Sequence, residues 1–281
     1  MAVVVLVWGA GPVVAKLITV NPIIGSLLRF GVSIPVLYGL VAARKRRVSW
    51  ATFKRSALPG LAFGVNLMFV FAAVQEATIA VLAVMIAIQP AVLLVIAGPV
   101  FGEWPTMKHV GWTLLGIVGA VGVILGAGSE LRASLLGLSL AFMAMATFTV
   151  YFALTRVARS SFNVDPVEWM ASINVWAFLA AVPPTLLLVE PADFGELQAA
   201  DLFWIFVLAY GTGVIGHVLM SWVHAFIEVA RSSLYLLAMN ITAVGLAWPV
   251  HDEPVTVAQM VAGVIVLWAV SAVIRLPAQS S

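Results

Sequence analysis

Hydrophobic residues fall along this chain in ten long blocks: 2–20, 22–43, 56–75, 78–99, 107–127, 134–156, 167–189, 202–226, 230–250 and 255–275. Almost no charge interrupts them. A lipid-spanning helix needs about 20 mostly apolar residues, and each block supplies such a stretch. Inside a bilayer every backbone polar group must be bonded within the protein, which leaves helices and closed barrels. A membrane barrel would show short alternating segments, and these blocks do not alternate. The pattern predicts an all-α fold, a polytopic integral membrane bundle of ten transmembrane helices. The connections are short, so function must reside within the bundle.

Composition sharpens this picture. Of the 281 residues, 63% are hydrophobic and only 9% are charged, where soluble domains carry about 25% charge. There is no cysteine, which excludes disulfides and thiolate chemistry. The opening residues MAVVVLVWGAG lack the basic segment that precedes a signal peptide's apolar core. The first block is therefore expected to be retained as a helix. It begins directly at Met1, as it would if the natural start lay further upstream.

Basic residues set the expected orientation. Arg44, Lys45, Arg46, Arg47, Lys54 and Arg55 lie between spans two and three. Cytoplasmic loops are enriched in Lys and Arg, so this loop is read as cytoplasmic, and alternation then puts both termini there. Lys108, Arg156, Arg159, Arg231 and Arg275 fall on the same side. Glu190, Asp193, Glu196, Asp201, Asp252 and Glu253 collect on the other. The expectation is a multi-pass protein of the cell inner (plasma) membrane. The net charge of +2 reflects this bias and implies no nucleic-acid partner.

The two halves repeat. Residues 85–106 read MIAIQPAVLLVIAGPVFGEWPT and residues 235–256 read YLLAMNITAVGLAWPVHDEPVT. At a shift of 150 residues Glu103 falls on Glu253, Thr106 on Thr256 and Pro99 on Pro249. Asn21-Pro22 before span two matches Asp165-Pro166 before span seven. The predicted division is 1–128 and 129–281, five spans each. An odd number of spans makes the halves inverted, an arrangement of transporters whose substrate site lies near the midplane where the repeats meet.

On these residues the chain resembles the drug/metabolite transporter superfamily, specifically its ten-helix EamA type. The likeness rests on Trp8-Gly9 and Lys16 in span one, Arg29-Phe30 in span two, Gln89-Pro90 with Gly102-Glu103 around span four, and Glu253-Pro254 in the second half. Asn240 stands where the first half has Pro90, and Gly111 and Gly263 sit at unequal offsets. The resemblance implies a carrier of a small organic metabolite, such as an amino acid or related amphipathic compound, moved outward by alternating access. Small four-helix relatives couple export to protons through a glutamate in their first helix. Span one here has none.

Polar side chains inside spans are costly and mark function. Asn66, Gln89, His217 and Asn240 lie close to span midpoints, and the shift of 150 sets Asn66 beside His217 and Gln89 beside Asn240. They are the expected substrate-binding residues, with Trp8, Tyr151 and Trp222 as walls. The bland alternative is plain interhelical hydrogen bonding. In span eight, Tyr210, Gly213, His217, Ser221, His224 and Glu228 line one face at helical spacing. Lys16 and Arg29 are positioned to attract a carboxylate, although snorkelling to the surface is the simpler reading. Gly60 with Gly64, and Gly122 with Gly126, are spaced for close helix approach within a monomer or a homodimer. No HExxH, GxSxG or P-loop is present, so neither cofactor, metal nor catalytic residue is expected. A channel through the bundle and an intramembrane enzyme acting on a lipid or metabolite are the competing classes.

Overall fold

The computed structural model describes residues 1–77, 79–126, 134–251 and 255–276, and these are helical throughout their ordered elements. In chain order they are α1 Ala2–Ala15, α2 Pro22–Ala43, α3 Trp50–Arg55, α4 Ala57–Glu76, α5 Ile79–Phe101, α6 Met107–Leu125, α7 Leu135–Ser161, α8 Pro166–Leu188, α9 Ala199–Leu208, α10 His217–Val223, α11 Val229–Leu237, α12 Met239–His251 and α13 Val257–Ile274. A 3-10 turn, Pro191–Glu196, precedes α9, and a π-helix, Ala209–Gly216, joins α9 to α10.

Among the described residues, six helices are long and apolar enough to cross a membrane: Pro22–Ala43, Val84–Phe101, Met107–Leu125, Leu135–Ser161, Pro166–Leu188 and Ala199–Val223. Shorter apolar helices, Ala2–Ala15, Ala57–Ala73, Leu234–Val250 and Val257–Val273, occupy the other expected spans. The protein is a multi-pass membrane protein. Its exterior agrees: Val95, Val118, Leu186, Leu187 and Val264 are largely exposed. Such a surface would be an association hazard in water, and lipid accepts it.

Helix starts follow local chemistry repeated in both halves. Asn21 and Asp165 each precede a proline, which suits the first helical turn because it lacks the N–H left unpaired there. The Asn21 side chain accepts from Ile23 N at 3.0 Å, and Asp165 accepts from Val167 N at 2.8 Å. Thr106 opens α6 and Thr256 opens α13 with reciprocal bonds to the residue three later. Two expected spans end differently from the sequence reading. The first helix stops at Ala15 and not near residue 20: Pro12 lies in its last turn, and Asn21-Pro22 starts the next helix. The ninth is divided between Leu237 and Met239, with Asn240 bonded locally to Leu237 O at 3.3 Å.

Contacts between connections sort into two groups. On one face Arg46 pairs with Glu168 at 2.5 Å and with Asp165 at 3.4 Å. There too Arg156 pairs with Glu103 at 2.8 Å and donates to His224 O at 2.6 Å. Arg159 Nε donates to Ser221 O at 2.9 Å. Both acceptors belong to the end of α10, whose carbonyls would otherwise lack partners. On the other face Asp201 accepts from Thr19 N at 2.7 Å, Asp193 accepts from Asn21 at 3.4 Å, and Thr256 donates to Gly126 O at 2.6 Å. Asp252, Glu253 and Pro254 lie outside the described residues, as does the junction between the two halves.

Among the described residues, two of the buried apolar clusters flank the centre of the bundle. One gathers Phe30, Phe63, Tyr151, Trp169, Ile173 and Leu208, among others. The second gathers Val4, Trp8, Leu93, Phe152, Met220 and Leu236. Phe148 of α7 packs against both. Lipid is as apolar as leucine, so helices here adhere by close packing. Gly60 and Gly64 of α4 show it. A Cβ on Gly64 would stand 2.5 Å from Ala177 O, and one on Gly60 2.5 Å from Trp176 Cβ.

Candidate functional site

The seam between the two clusters carries the densest polar and aromatic contacts. The Tyr151 hydroxyl and His217 Nδ1 share a hydrogen bond of 2.9 Å, and both side chains are buried. Three further rings surround the pair. Trp8 lies 4.6 Å from the His217 ring, Phe63 lies 4.5 Å from His217 and stacks on Tyr151 at 4.6 Å, and Phe148 is 5.9 Å from Tyr151. The rings come from α1, α4, α7 and α10, that is, from both halves of the chain.

The π-helix beside them explains how they meet. Its turns are wider than those of an α-helix, and such insertions concentrate at functional sites. Irregular backbone survives at membrane depth only where neighbours satisfy its polar groups. Trp8 Nε1 donates to Thr212 O at 3.1 Å, and Ser33 Oγ reaches Ala209 O at 3.4 Å while donating to Arg29 O at 2.8 Å. Gly216 makes the approach of Trp8 possible: a Cβ there would collide with Trp8 Nε1 and lie 2.6 Å from its Cδ1.

Arg29 stands at the edge of this group. It does not snorkel, being only 6% exposed, whereas Lys16 is exposed. Its Nη2 donates to Thr212 Oγ1 at 2.7 Å, and its buried Nε has no hydrogen-bond partner. The guanidinium is within electrostatic reach of Tyr151 and His217.

The expected site residues take different places. Trp8, Tyr151 and His217 are in mutual contact. Asn66, one turn beyond Phe63, donates to Ala144 O at 2.8 Å and ties α4 to α7. Gln89 is 1% exposed, and both ends of its carboxamide lack hydrogen-bond partners. Asn240 is half-buried on α12. Trp222 is 53% exposed and packs on Phe226, away from the ring cluster. The polar face of the eighth span turns inward against other helices. His217 meets the cluster, and His224 meets Phe152 at 4.3 Å. Sequence reasoning missed Phe63, Phe148 and Thr212. The glycines at 211, 213 and 216 around Thr212 were the available signal of an irregular helix.

A family model describing the EamA-like transporter family matches residues 1–125 and again 135–275. The chain belongs to that family. It is thus a membrane transporter-family protein with two matched repeats, as the motifs around Trp8, Arg29, Gln89 and Glu103 imply. A protein of known crystal structure shares the fold at a TM-score of 0.76, with 16% identity over 96% of this chain and 94% of that one. No curated protein matches.

Proposed function

We propose that this protein is a carrier that moves a small organic metabolite outward across the inner membrane by alternating access. Its ten spans form two inverted five-helix repeats, with both termini in the cytoplasm. One observation carries this reading: the Trp8–Phe63–Tyr151–His217 cluster is assembled from both halves. A site shared by two repeats changes shape when one rocks against the other.

The neighbour pattern supports a two-fold relation between the repeats, which five spans in each would make an inversion. The α4 helix packs on α7 and α8, while the segment 199–223 packs on α1 and α2. Likewise α5 meets α7 and α6, while α12 meets α1 and α11 meets α13. The pairs α2 with α8, α5 with α11 and α6 with α13 relate each element to its counterpart. The loop contacts also keep to the face that alternation from a cytoplasmic Arg44–Arg55 loop assigns them.

Three experiments test this. Purified protein in proteoliposomes should show saturable uptake and trans-stimulation with a metabolite that accumulates in cells lacking it. Unsaturable conductance would instead indicate a channel. Changing His217 to Ala, or Gln89 to Leu, should reduce transport by roughly tenfold to a hundredfold with membrane abundance kept, since a buried hydrogen bond to the solute is worth about 1–3 kcal/mol. For topology, the natural absence of cysteine is useful. In intact spheroplasts Arg47→Cys should resist an impermeant thiol reagent and Ala192→Cys should react; the opposite pattern would overturn the assigned orientation.

A further inference from the structure

A buried guanidinium without a carboxylate is an unusual possession for a membrane helix. Placing such a charge in the bilayer interior costs several kcal/mol unless it is paired. Arg29 has one hydroxyl partner, Thr212, and an unpartnered Nε. The acidic residues among those described, Glu76, Glu103, Asp165, Glu168, Asp201 and Glu228 included, lie at or near helix ends and not beside the ring cluster. Thr212 fixes Arg29 relative to the rings, since its hydroxyl accepts from Arg29 and its carbonyl accepts from Trp8.

We propose that the ligand of this cluster is an organic monocarboxylate with a flat apolar body, its carboxylate held by Arg29 and its body laid among Trp8, Phe63 and Tyr151. This deepens the carrier reading and rests on it. A guanidinium presents a planar fork that matches a carboxylate's two oxygens. The free Nε supplies one donor of that fork. One cation matches one negative charge, so a monoanion fits better than a phosphate dianion. A cationic solute would meet repulsion at Arg29 and find no acid in the cluster. The rings contribute apolar area and offset-stacked or edge-to-face contact for a planar body.

The test uses the full-length protein in nanodiscs and four probes: indole-3-acetate, its neutral analogue indole-3-acetamide, the cation tryptamine and inorganic phosphate. Calorimetry should give indole-3-acetate a Kd roughly tenfold to a hundredfold below that of indole-3-acetamide, as a charge-assisted bond would. Tryptamine and phosphate should bind more weakly still. Arg29→Gln should equalise acid and amide, with the melting temperature in nanodiscs reporting separately on folding. If Arg29→Gln does not accumulate, Arg29→Lys keeps the charge without the fork and should lose about tenfold for the acid alone. Tryptamine binding more tightly than the acid, an acid preference retained in Arg29→Gln or undiminished in Arg29→Lys, or no acid binding at millimolar concentration each overturns the proposal. Saturable counterflow of a neutral or cationic solute would do so while leaving the carrier reading intact. Anion-selective binding without any flux would remove the carrier reading and leave the Arg29 assignment in place.

Discussion

The third apolar helix of the first matched repeat, α4, and that of the second, Ala199–Val223, are solved in opposite ways. The α4 helix is regular and drawn onto α8 by Gly60 and Gly64, with Asn66 spending its amide on Ala144 O. The second is interrupted by eight π-helical residues, and its freed geometry is met by Trp8, Ser33 and Arg29 from two other helices. Both deliver one ring to the same cluster, Phe63 from α4 and His217 from the start of α10. A regular helix can hold a position by packing alone. An irregular one needs polar partners, and polar partners in lipid are also the groups able to bind a solute. On the proposed function, the broken helix carries the chemistry and the regular one the scaffold.

The sharpest way to break this contrast is to enlarge a scaffold glycine. Gly64→Leu should abolish accumulation of folded protein, because even a Cβ there meets backbone at 2.5 Å and the overlap exceeds the ~1–3 kcal/mol of ordinary overpacking. Gly213→Ala, whose nearest neighbour would be 3.4 Å away, should accumulate normally. Quantitative blotting and size-exclusion profiles in detergent read both. Equal abundance of the two variants would remove the distinction.

Next in size is Gly216→Ala. It should push Trp8 off Thr212 O, leaving a buried donor unpaired at ~1–3 kcal/mol. Initial transport rates should fall by more than membrane abundance does; a proportionate fall in both would make Gly216 a packing residue only.

Tyr151→Phe keeps the stacked ring and removes the hydroxyl's contacts with His217 Nδ1 and Met170 Sδ. An affinity loss of about tenfold is expected, read from the concentration dependence of uptake, with the melting temperature in detergent little changed. A wild-type half-saturation value would exclude the hydroxyl from solute binding.

The smallest effect is expected on the scaffold side. Asn66→Leu removes an interhelical bond of a kind worth about 0.6 kcal/mol in membranes, so stability should drop slightly and transport should persist. Collapse of transport with normal stability would move Asn66 into the site and blur the contrast.

What the sequence by itself determined follows from properties that are local. Transfer into lipid depends on each segment's own side chains, so the apolar blocks marked where helices lie. Caps depend on a few adjacent residues, so Asn21-Pro22, Asp165-Pro166, Thr106 and Thr256 marked helix starts. The cost of polar groups in hydrocarbon singled out His217 and Gln89, and the depth of Trp8 and Tyr151 did the same for them. Other features were decided only by the tertiary structure. Nothing in hydropathy separates Phe63 and Phe148 from the many lipid-facing aromatics, because what distinguishes them is a partner ring on another helix. Arg29 in the outer half of a span looks like a side chain reaching for the surface until Thr212, 183 residues away, holds it inside. The π-helix is likewise a choice made by Trp8, Ser33 and Arg29, since an α-helix would be the cheaper backbone for that segment alone. Polar satisfaction in a membrane is a pairing problem between distant segments, and only the packed bundle states the pairs.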